Sequence, residues 1–553
     1  MRRAGWPMDA VPRPQRWDKP FDEELSSHDV ERILALPAFD GVQAHRFPVQ
    51  IPLDGILAND TRLIRYQAGD VVVREGDYGN SAFLVVEGSV CVALTPGLPP
   101  SMLGRAPSRR KSLLSALSQL WTNRGKIMEL RRMNDVSERS VRTVEQQQTR
   151  LDMDYVRQTQ TTVSLGEGRI FGEIAAVARS PRTATVVAEV DALLLEIRWQ
   201  GLRELRRYDP GWRERIDSTY RNNALKLHLQ EDALFSGLSS ELIDAVAADT
   251  LFESYGSFDW NVDFKRRGAE SVGAKIVNEG DYPDGLLMIR GGFAKVTRRI
   301  GNGERALTYL RAGDVFGLDE LYRLWRGDDD VAMRASLTPL GYVDVLRVPY
   351  FVMERHVFPN LRQSPSDDLQ SAFERPLADD SLLEWAIGER FINGTRAMVI
   401  DLDRCVRCDD CVRACASTHD GNPRFVRHGK DHSHWMVANA CMHCTDPVCM
   451  IGCPTGAIHR DEASGMVVIN DTTCIGCQTC ANACPYDNIR MVEIRNDRDE
   501  VIIDSEQGVP LLKATKCDFC YDQPAGPACV RACPHDALRR SSFADLVQMA
   551  EER

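Results

Sequence analysis

Sixteen of the seventeen cysteines in this 553-residue chain fall between Cys405 and Cys533, and their spacing is the clearest chemical signal it carries. They form four quartets. Cys405, Cys408, Cys411 and Cys415 follow C-x2-C-x2-C-x3-C, and Cys441, Cys444, Cys449 and Cys453 follow C-x2-C-x4-C-x3-C-P. Cys474, Cys477, Cys480 and Cys484 follow C-x2-C-x2-C-x3-C-P, while Cys517, Cys520, Cys529 and Cys533 follow C-x2-C-x8-C-x3-C-P. Such crowding in a long chain whose first residues do not read as an export signal points to metal or cluster ligation, not to disulfides. Three close thiolates can wrap one face of an iron-sulfur cubane while the fourth, starting a helix after the loop, points to a neighbouring cluster. Four-cysteine zinc sites also use C-x2-C pairs and stand as the alternative, although they seldom need three tight cysteines plus a fourth, four times over. The reading is therefore four [4Fe-4S] clusters, with Pro454, Pro485 and Pro534 ending binding loops. His419, His443 and His535 lie near the quartets, but each quartet is complete without them, so they are read as surface groups or groups behind the ligands.

The order and spacing of the quartets resemble the four-cluster electron-transfer subunits of molybdopterin oxidoreductases, such as the B subunit of dimethyl sulfoxide reductase, and of some hydrogenases. Val399-Ile400-Asp401-Leu402-Asp403-Arg404 before the first quartet, Pro454-Thr455-Gly456-Ala457-Ile458 after the second and Lys516-Cys517-Asp518-Phe519-Cys520 opening the fourth agree with that likeness over about 395–545. The resemblance implies cross-ligation, the first quartet sharing clusters with the fourth and the second with the third, so that the centres form a wire. It also implies a partner oxidoreductase subunit of molybdopterin or flavin type.

A second constellation runs from Phe171 to Val186 as FGEIAAVARSPRTATV. Gly172 lets backbone approach a ligand, a helical turn follows, and Arg182 supplies a counter-charge for an anion. Glu173 is the odd member, because a carboxylate beside a phosphate repels it unless it accepts hydrogen bonds from something else, such as a ribose hydroxyl. The stretch is similar to the phosphate-binding cassette of cyclic-nucleotide-binding domains, as in kinase A regulatory subunits and catabolite activator proteins. That resemblance implies that Arg182 pairs with a cyclic phosphate, that Glu173 accepts from the ribose 2′-hydroxyl, and that Gly172, Thr183 and Ala184 complete the cradle, with cAMP or cGMP as regulatory ligand. The bland alternative is an Arg182–Glu173 ion pair in an empty barrel.

Both constellations need elements to hold them. From Arg62 the text turns to short β runs punctuated by Gly69, Gly76, Gly79 and Gly88, as in a small barrel or jelly roll. The pattern then returns: Arg74-Glu75-Gly76-Asp77-Tyr78 recurs as Asn278-Glu279-Gly280-Asp281-Tyr282, and Ile170-Phe171-Gly172 as Val315-Phe316-Gly317. The first copy must carry about 59 more residues between these landmarks, placing an insertion at about 97–160. The insertion is basic early on and has Leu113, Leu114, Leu117, Leu120 and Trp121 at helical spacing, which predicts helices packed on its own barrel or on a second copy of the chain as a homo-oligomer. In the second copy Leu318 replaces the glutamate and Met333 the arginine, so this copy is expected not to bind nucleotide; a site shifted onto Arg334 with Asp319 or Glu320 is the alternative.

The expected architecture is multidomain: two β-barrel (jelly-roll) cyclic-nucleotide-binding-like domains with flanking helices, followed by an α+β poly-[4Fe-4S] ferredoxin-like domain. The expected boundaries are an N-terminal arm at 1–45, a first domain at 46–230, a second at 231–360, a linker at 361–390 and the ferredoxin-like domain at 391–545. Within this, 198–230 reads as mostly helical around Pro210 and 232–250 as another helix starting in Leu234–Leu238. A net charge of -12 would repel DNA, and no apolar run reaches the roughly 20 residues of a membrane span, so a cytoplasmic protein without a transmembrane anchor is expected. There is no G-x-G-x-x-G after a strand, no P-loop and no nucleophile elbow, so substrate chemistry is expected on another polypeptide. The combined expectation is an iron-sulfur electron-transfer subunit whose docking or activity answers to a cyclic nucleotide. A redox- and nucleotide-sensing regulator acting by partner binding is the alternative.

Overall fold

The computed structural model describes residues 10–93, 151, 162–361 and 380–545, apart from 179–180, 221–224, 233, 258–259, 268–273, 302, 420, 497, 499, 522, 524 and 544. The basic insertion at 97–160 lies outside the described residues except for Leu151, as does the linker between 362 and 379. Two compact units emerge, and the first is discontinuous: Met1–Ile216 joins Arg396–Arg540, while Asp217–Thr395 with Ser541–Arg553 forms the second.

In the first unit two four-stranded antiparallel sheets pack face to face. One has the order Thr61–Tyr66, Ala192–Arg198, Ser81–Glu87, Ile170–Phe171; the other Val71–Val73, Thr185–Ala188, Val90–Ala93, Thr162–Leu165. Alternation explains why Ser81–Glu87 is so apolar. Phe83 and Val85 point into the core between the sheets with Val72, Val90, Val186 and Leu194, whereas Ala82 and Leu84 point the other way, into a helical core with Ile197, Leu202 and Trp212. The arm contributes to that second core. Ser26 caps Ser27–Leu34, with Asp29 completing a capping box, and the helix buries Val30 and Ile33. Phe39 then meets Trp212 at a ring distance of 5.1 Å.

The cysteine-rich segment of the same unit has a four-stranded sheet ordered Val426–His432, Trp435–Asn439, Ala397–Asp401, Leu538–Ser541, and two further pairings, Ile458–Arg460 with Val467–Ile469 and Arg490–Glu493 with Leu512–Thr515. Its short helices pack in pairs, Asp410–Thr418 on Ala528–Arg531 and Val448–Ile451 on Thr479–Ala483. Polar contacts weld this segment to the barrel. Asp60 is fully buried; it holds Arg198 at 2.6 Å and Arg16 of the arm at 2.8 Å, and Arg198 donates onward to the Thr455 carbonyl at 2.9 Å. Arg203, one turn further along Trp199–Tyr208, donates to the Ile451 carbonyl. The arm adds a parallel pairing of Ala10–Val11 with Ile503–Asp504, and Arg13 donates to the Gly476 carbonyl at 2.7 Å.

The second unit has sheets ordered Leu251–Tyr255, Val343–Pro349, Gly285–Gly291, Val315–Phe316 and Gly303–Arg311, Phe293–Ile300, Ser336–Pro339. The four-stranded sheet has the same order as its counterpart in the first unit, and Phe316 pairs with Leu287 as Phe171 pairs with Phe83. Among the described residues the three-stranded sheet has no strand corresponding to Val71–Val73, in whose place a single bridge joins Val277 to Leu337. The helix expected over 232–250 is present as Ser240–Asp249, but its start is corrected from Leu234–Leu238 to Ser240, because the Ser239 side chain accepts from Leu242 N and caps it there.

Removing the Asp60 carboxylate leaves two guanidinium groups in low dielectric, so Asp60→Ala is expected to cost on the order of 3–5 kcal/mol, read as a depressed unfolding midpoint. Asp328→Ala, which breaks an exposed pair with Arg323, is expected to cost about 0–1 kcal/mol in the same measurement.

Candidate functional site

The helix pairs bring thiols from distant quartets together. Cys411, Cys415, Cys441, Cys517 and Cys529 share one buried cluster that Cys405 and Cys533 border, and Cys453, Cys474, Cys480 and Cys484 share another that Cys449 borders. A cavity is lined by Cys405, Cys408 and Cys411 of the first quartet and Cys533 of the fourth. Electrostatics divide the thiols more finely and set Cys441 with Cys444, Cys449 and Cys484. Burial first, then Cys517, Cys529 and Cys520, holds the Cys415 thiol well above its ordinary range, and Cys484 does the same to Cys449. The Cys480 thiol is pushed up to about 12 by burial and by Cys453, Cys474 and Cys477. Each fourth cysteine thus sits with the first three of another quartet. None of the seventeen cysteines, all of them among the described residues, is in a disulfide.

Three observations fit iron-sulfur ligation. Buried thiols that penalise one another's ionisation form a donor set that a cationic centre would discharge. The loops of all four quartets pass through left-handed backbone at non-glycine residues, namely Arg407 and Asp409, His443, Gln478, and Phe519 with Cys520, so that the chain curls around its cysteines. Buried cations complete the set. Lys516 is 3% exposed and donates to the carbonyls of Val467 and Cys517, with no carboxylate at ion-pair distance among the described residues. A lysine buried against carbonyls alone is costly unless anionic charge lies nearby. Arg540 donates to Cys517 Sγ at 2.7 Å, and backbone N–H groups of Arg424 and Ala537 donate to Cys415 and Cys533 Sγ at 3.2 and 3.3 Å. Hydrogen bonds to sulfur of this kind tune cluster potentials. The residues therefore fit the group.

The histidines divide. His535 is exposed, but His419 is buried, with Nε2 3.4 Å from Asp518 Oδ1 and 3.7 Å from Cys520 Sγ. His443 is 1% exposed and its Nδ1 accepts from Val467 N at 3.1 Å; burial and the cations Lys516 and Arg540 hold it neutral. Nothing in the local spacing of His419 announces a neighbour 101 residues away.

At the anion cradle Gly172 takes a φ of +76° and turns the chain into the helix Glu173–Ala178. Arg182 is 8% exposed; its Nη1 donates to the Gly172 carbonyl at 2.6 Å and its Nη2 to the Ser81 carbonyl at 2.8 Å. A Cβ at Gly79 would come within 2.2 Å of Arg182 Cζ, and one at Gly172 within 2.4 Å of Nη1, so a side chain at either place would have to displace the guanidinium. Gly79 is a cradle residue that the sequence reading counted only as a turn. Glu173 is 3% exposed, and burial pushes its carboxyl up to about 7, with Arg182 pulling the other way. Thr183 is exposed and Ala184 half-buried, and both follow Arg182 directly.

In the second unit Met333 occupies the corresponding place, its Cε 3.3 Å from where a Gly317 Cβ would stand. Arg334 is turned aside into ion pairs with Asp319 at 2.5 Å and Glu320 at 3.1 Å.

A carboxyl with a raised native pKa stabilises the fold below its unfolded value of about 4.5 and loses that contribution as pH rises toward about 7. Glu173→Gln is therefore expected to flatten the pH dependence of stability between those values and to be the more stable form above pH 7, by a difference on the order of 3 kcal/mol at most, measured by denaturant unfolding across pH.

Comparison with known proteins follows the same division of the chain. Residues 432–542 match the family model of the 4Fe-4S dicluster domain, which takes in the last three quartets, and residues 150–209 match that of the cyclic nucleotide-binding domain. The electron transport protein HydN of Escherichia coli K12 is 34% identical over 174 residues, 29% of this chain and 94% of that protein. Protein NrfC of the same strain is 36% identical over 170 residues, 28% of this chain and 69% of that protein. The cAMP-bound regulatory domain of Toxoplasma gondii PKA matches at 17% identity over 61% of this chain and 93% of that one, with a TM-score of 0.21, too loose a superposition to argue from. With its cysteine-rich segment covering nearly the whole of such a relative, the chain belongs to the 4Fe-4S dicluster electron-transport family, carrying a cyclic nucleotide-binding domain in the same polypeptide.

Proposed function

We propose that this chain conducts electrons one at a time through four [4Fe-4S] clusters to or from a partner oxidoreductase, under the control of a cyclic nucleotide held at Arg182. The observation that carries the proposal is the sharing of thiols: Cys415 stands among Cys517, Cys520 and Cys529, and Cys453 beside Cys480, as four cross-ligated centres need. In this reading Cys405, Cys408, Cys411 and Cys533 hold one centre, Cys517, Cys520, Cys529 and Cys415 the second, Cys441, Cys444, Cys449 and Cys484 the third, and Cys474, Cys477, Cys480 and Cys453 the fourth. A bound [4Fe-4S] cluster supplies reversible one-electron redox chemistry. The protein's part is to hold the thiols, place N–H and guanidinium donors on sulfur, and surround them with buried cations. Cys408 is exposed, and beside it Val406 is 60% exposed, which supports exchange with a partner at the first centre. A partner of molybdopterin or flavin type, a cytoplasmic location and the absence of substrate chemistry on this chain belong to the same proposal.

For the nucleotide, Arg182 would meet the cyclic phosphate and Glu173, with its proton affinity near neutrality, the ribose hydroxyl; Gly172, Thr183 and Ala184 would line the approach. The second unit would not bind, because Met333 fills the equivalent place with a thioether.

Anaerobically reconstituted protein is expected to contain about 16 iron atoms per chain by elemental analysis. Stoichiometric zinc with negligible iron would reject the wire. Arg182→Leu is expected to weaken cAMP or cGMP binding in calorimetry by on the order of 1.5–3 kcal/mol, about ten- to a hundredfold, and absence of binding by the parent chain would reject the nucleotide site.

A further inference from the structure

The turn that cradles Arg182 has two faces. On one, Gly79 lies against the guanidinium, and Arg182 N donates to the Asp77 carbonyl at 2.7 Å while Gly76 N donates to the Arg182 carbonyl at 2.8 Å. On the other sits the hairpin formed by Ile458–Arg460 and Val467–Ile469. Tyr78 N donates to the Glu462 carbonyl at 2.8 Å, and the Tyr78 ring fills the space left by the missing side chain of Gly465, where a Cβ would stand 2.2 Å from a ring carbon. Asn80 acts as a substitute strand partner: its Nδ2 donates to the Arg460 carbonyl at 2.8 Å and its Oδ1 accepts from Arg460 N at 3.2 Å. The Arg460 guanidinium lies 4.9 Å over the Tyr78 ring and donates to the carbonyls of Cys444 and Thr445 at 2.7 and 2.8 Å. An unbroken series of contacts therefore leads from the phosphate arginine to the loop of the second quartet.

We propose that this hairpin and an anionic ligand at Arg182 compete, so that nucleotide binding loosens the hairpin from the Tyr78 turn and the docked hairpin weakens nucleotide binding. The inference rests on the nucleotide reading above and names the element that reports occupancy to the clusters. Charge gives its sign. Arg182 already faces the carboxylates of Glu196, Glu462, Glu173 and Asp77. Glu196 is held by Arg62 at 2.5 Å and by Ser81, Glu173 is buried at a helix start, and Asp77 belongs to the turn itself. Glu462 alone of the four comes from the ferredoxin segment, on an exposed hairpin loop. A phosphate added to a guanidinium so surrounded is repelled, and Glu462 is the charge that can move away. Binding free energies are reciprocal, so whatever the ligand does to the hairpin the hairpin does to the ligand.

The test is calorimetry with cAMP and cGMP on the iron-loaded full chain. Glu462→Gln and Asn80→Ala are each expected to tighten binding about fivefold or more, the lower end of ordinary coupling between sites. In the parent chain, amide hydrogen exchange at Tyr78 and across 458–469 is expected to speed up when nucleotide is added. Unchanged or weaker binding in Glu462→Gln, or exchange that slows or stays the same in the parent, overturns the inference while leaving the nucleotide site standing. Failure of the parent to bind either nucleotide overturns both. Should Asn80→Ala not fold, Glu462→Gln and the exchange measurement decide.

Discussion

The structure turns on a constraint among thiols: the third cysteine of each quartet opens a short helix and the fourth lies late in it or past its end, which sets the fourth beside the cysteines of another quartet. Cys415 on Asp410–Thr418 is brought to Cys517, Cys520 and Cys529, and Cys484 after Thr479–Ala483 is brought to Cys444 and Cys449. A cluster held as proposed would staple two stretches of chain, so such sites would come in pairs. The rest of the segment follows from packing so many sulfur donors in low dielectric. Loops must curl through left-handed backbone at Arg407, Asp409, Gln478 and Phe519, and cations such as Lys516 and Arg460 must enter the interior. The charge of Lys516, donated to carbonyls alone, fits a site beside anionic centres.

The second constraint is the weld between barrel and ferredoxin segment. Arg198 bridges buried Asp60 and the Thr455 carbonyl, two residues after Cys453, and Arg203 reaches the Ile451 carbonyl two residues before it. The end of the strand Ala192–Arg198 and the helix after it thus grip both sides of Cys453. Together with the Asn80 clasp on Arg460, this makes the nucleotide cradle and the inner quartets parts of one unit, so a change at one has a short mechanical route to the other. The two cradles show the same scaffold with different contents. Arg182 nests against Gly172 with its charge aimed at carbonyls an anion could replace, while Met333 nests against Gly317 with nothing to offer a phosphate.

What could be read beforehand and what could not divide along physical lines. Quartet spacing, the glycine-rich turns and the recurrence of Phe171-Gly172 as Phe316-Gly317 are local patterns, and local patterns report local chemistry and strand alternation directly. They carry the donor types, the cradle arginine and its loss in the second copy. The start expected at Leu234–Leu238 for the helix in 232–250 came from reading an apolar run without its cap, because Ser239 sets the first helical residue at Ser240.

Long-range pairing was not written in any spacing. Arg198 and Thr455 are 257 residues apart, Asn80 and Arg460 are 380 apart, and His419 and Cys520 are 101 apart; each contact exists because two independently folded surfaces happen to be complementary. For the same reason Gly79 passed as an ordinary turn residue until the guanidinium was seen lying on it. The sequence by itself determined which atoms are available for electron transfer and anion binding, since those depend on residue type and near neighbours. Only the tertiary structure decided that the nucleotide-binding-type domain and the cysteine-rich segment form one compact unit, because burial and hydrogen bonding between distant segments depend on how whole surfaces meet.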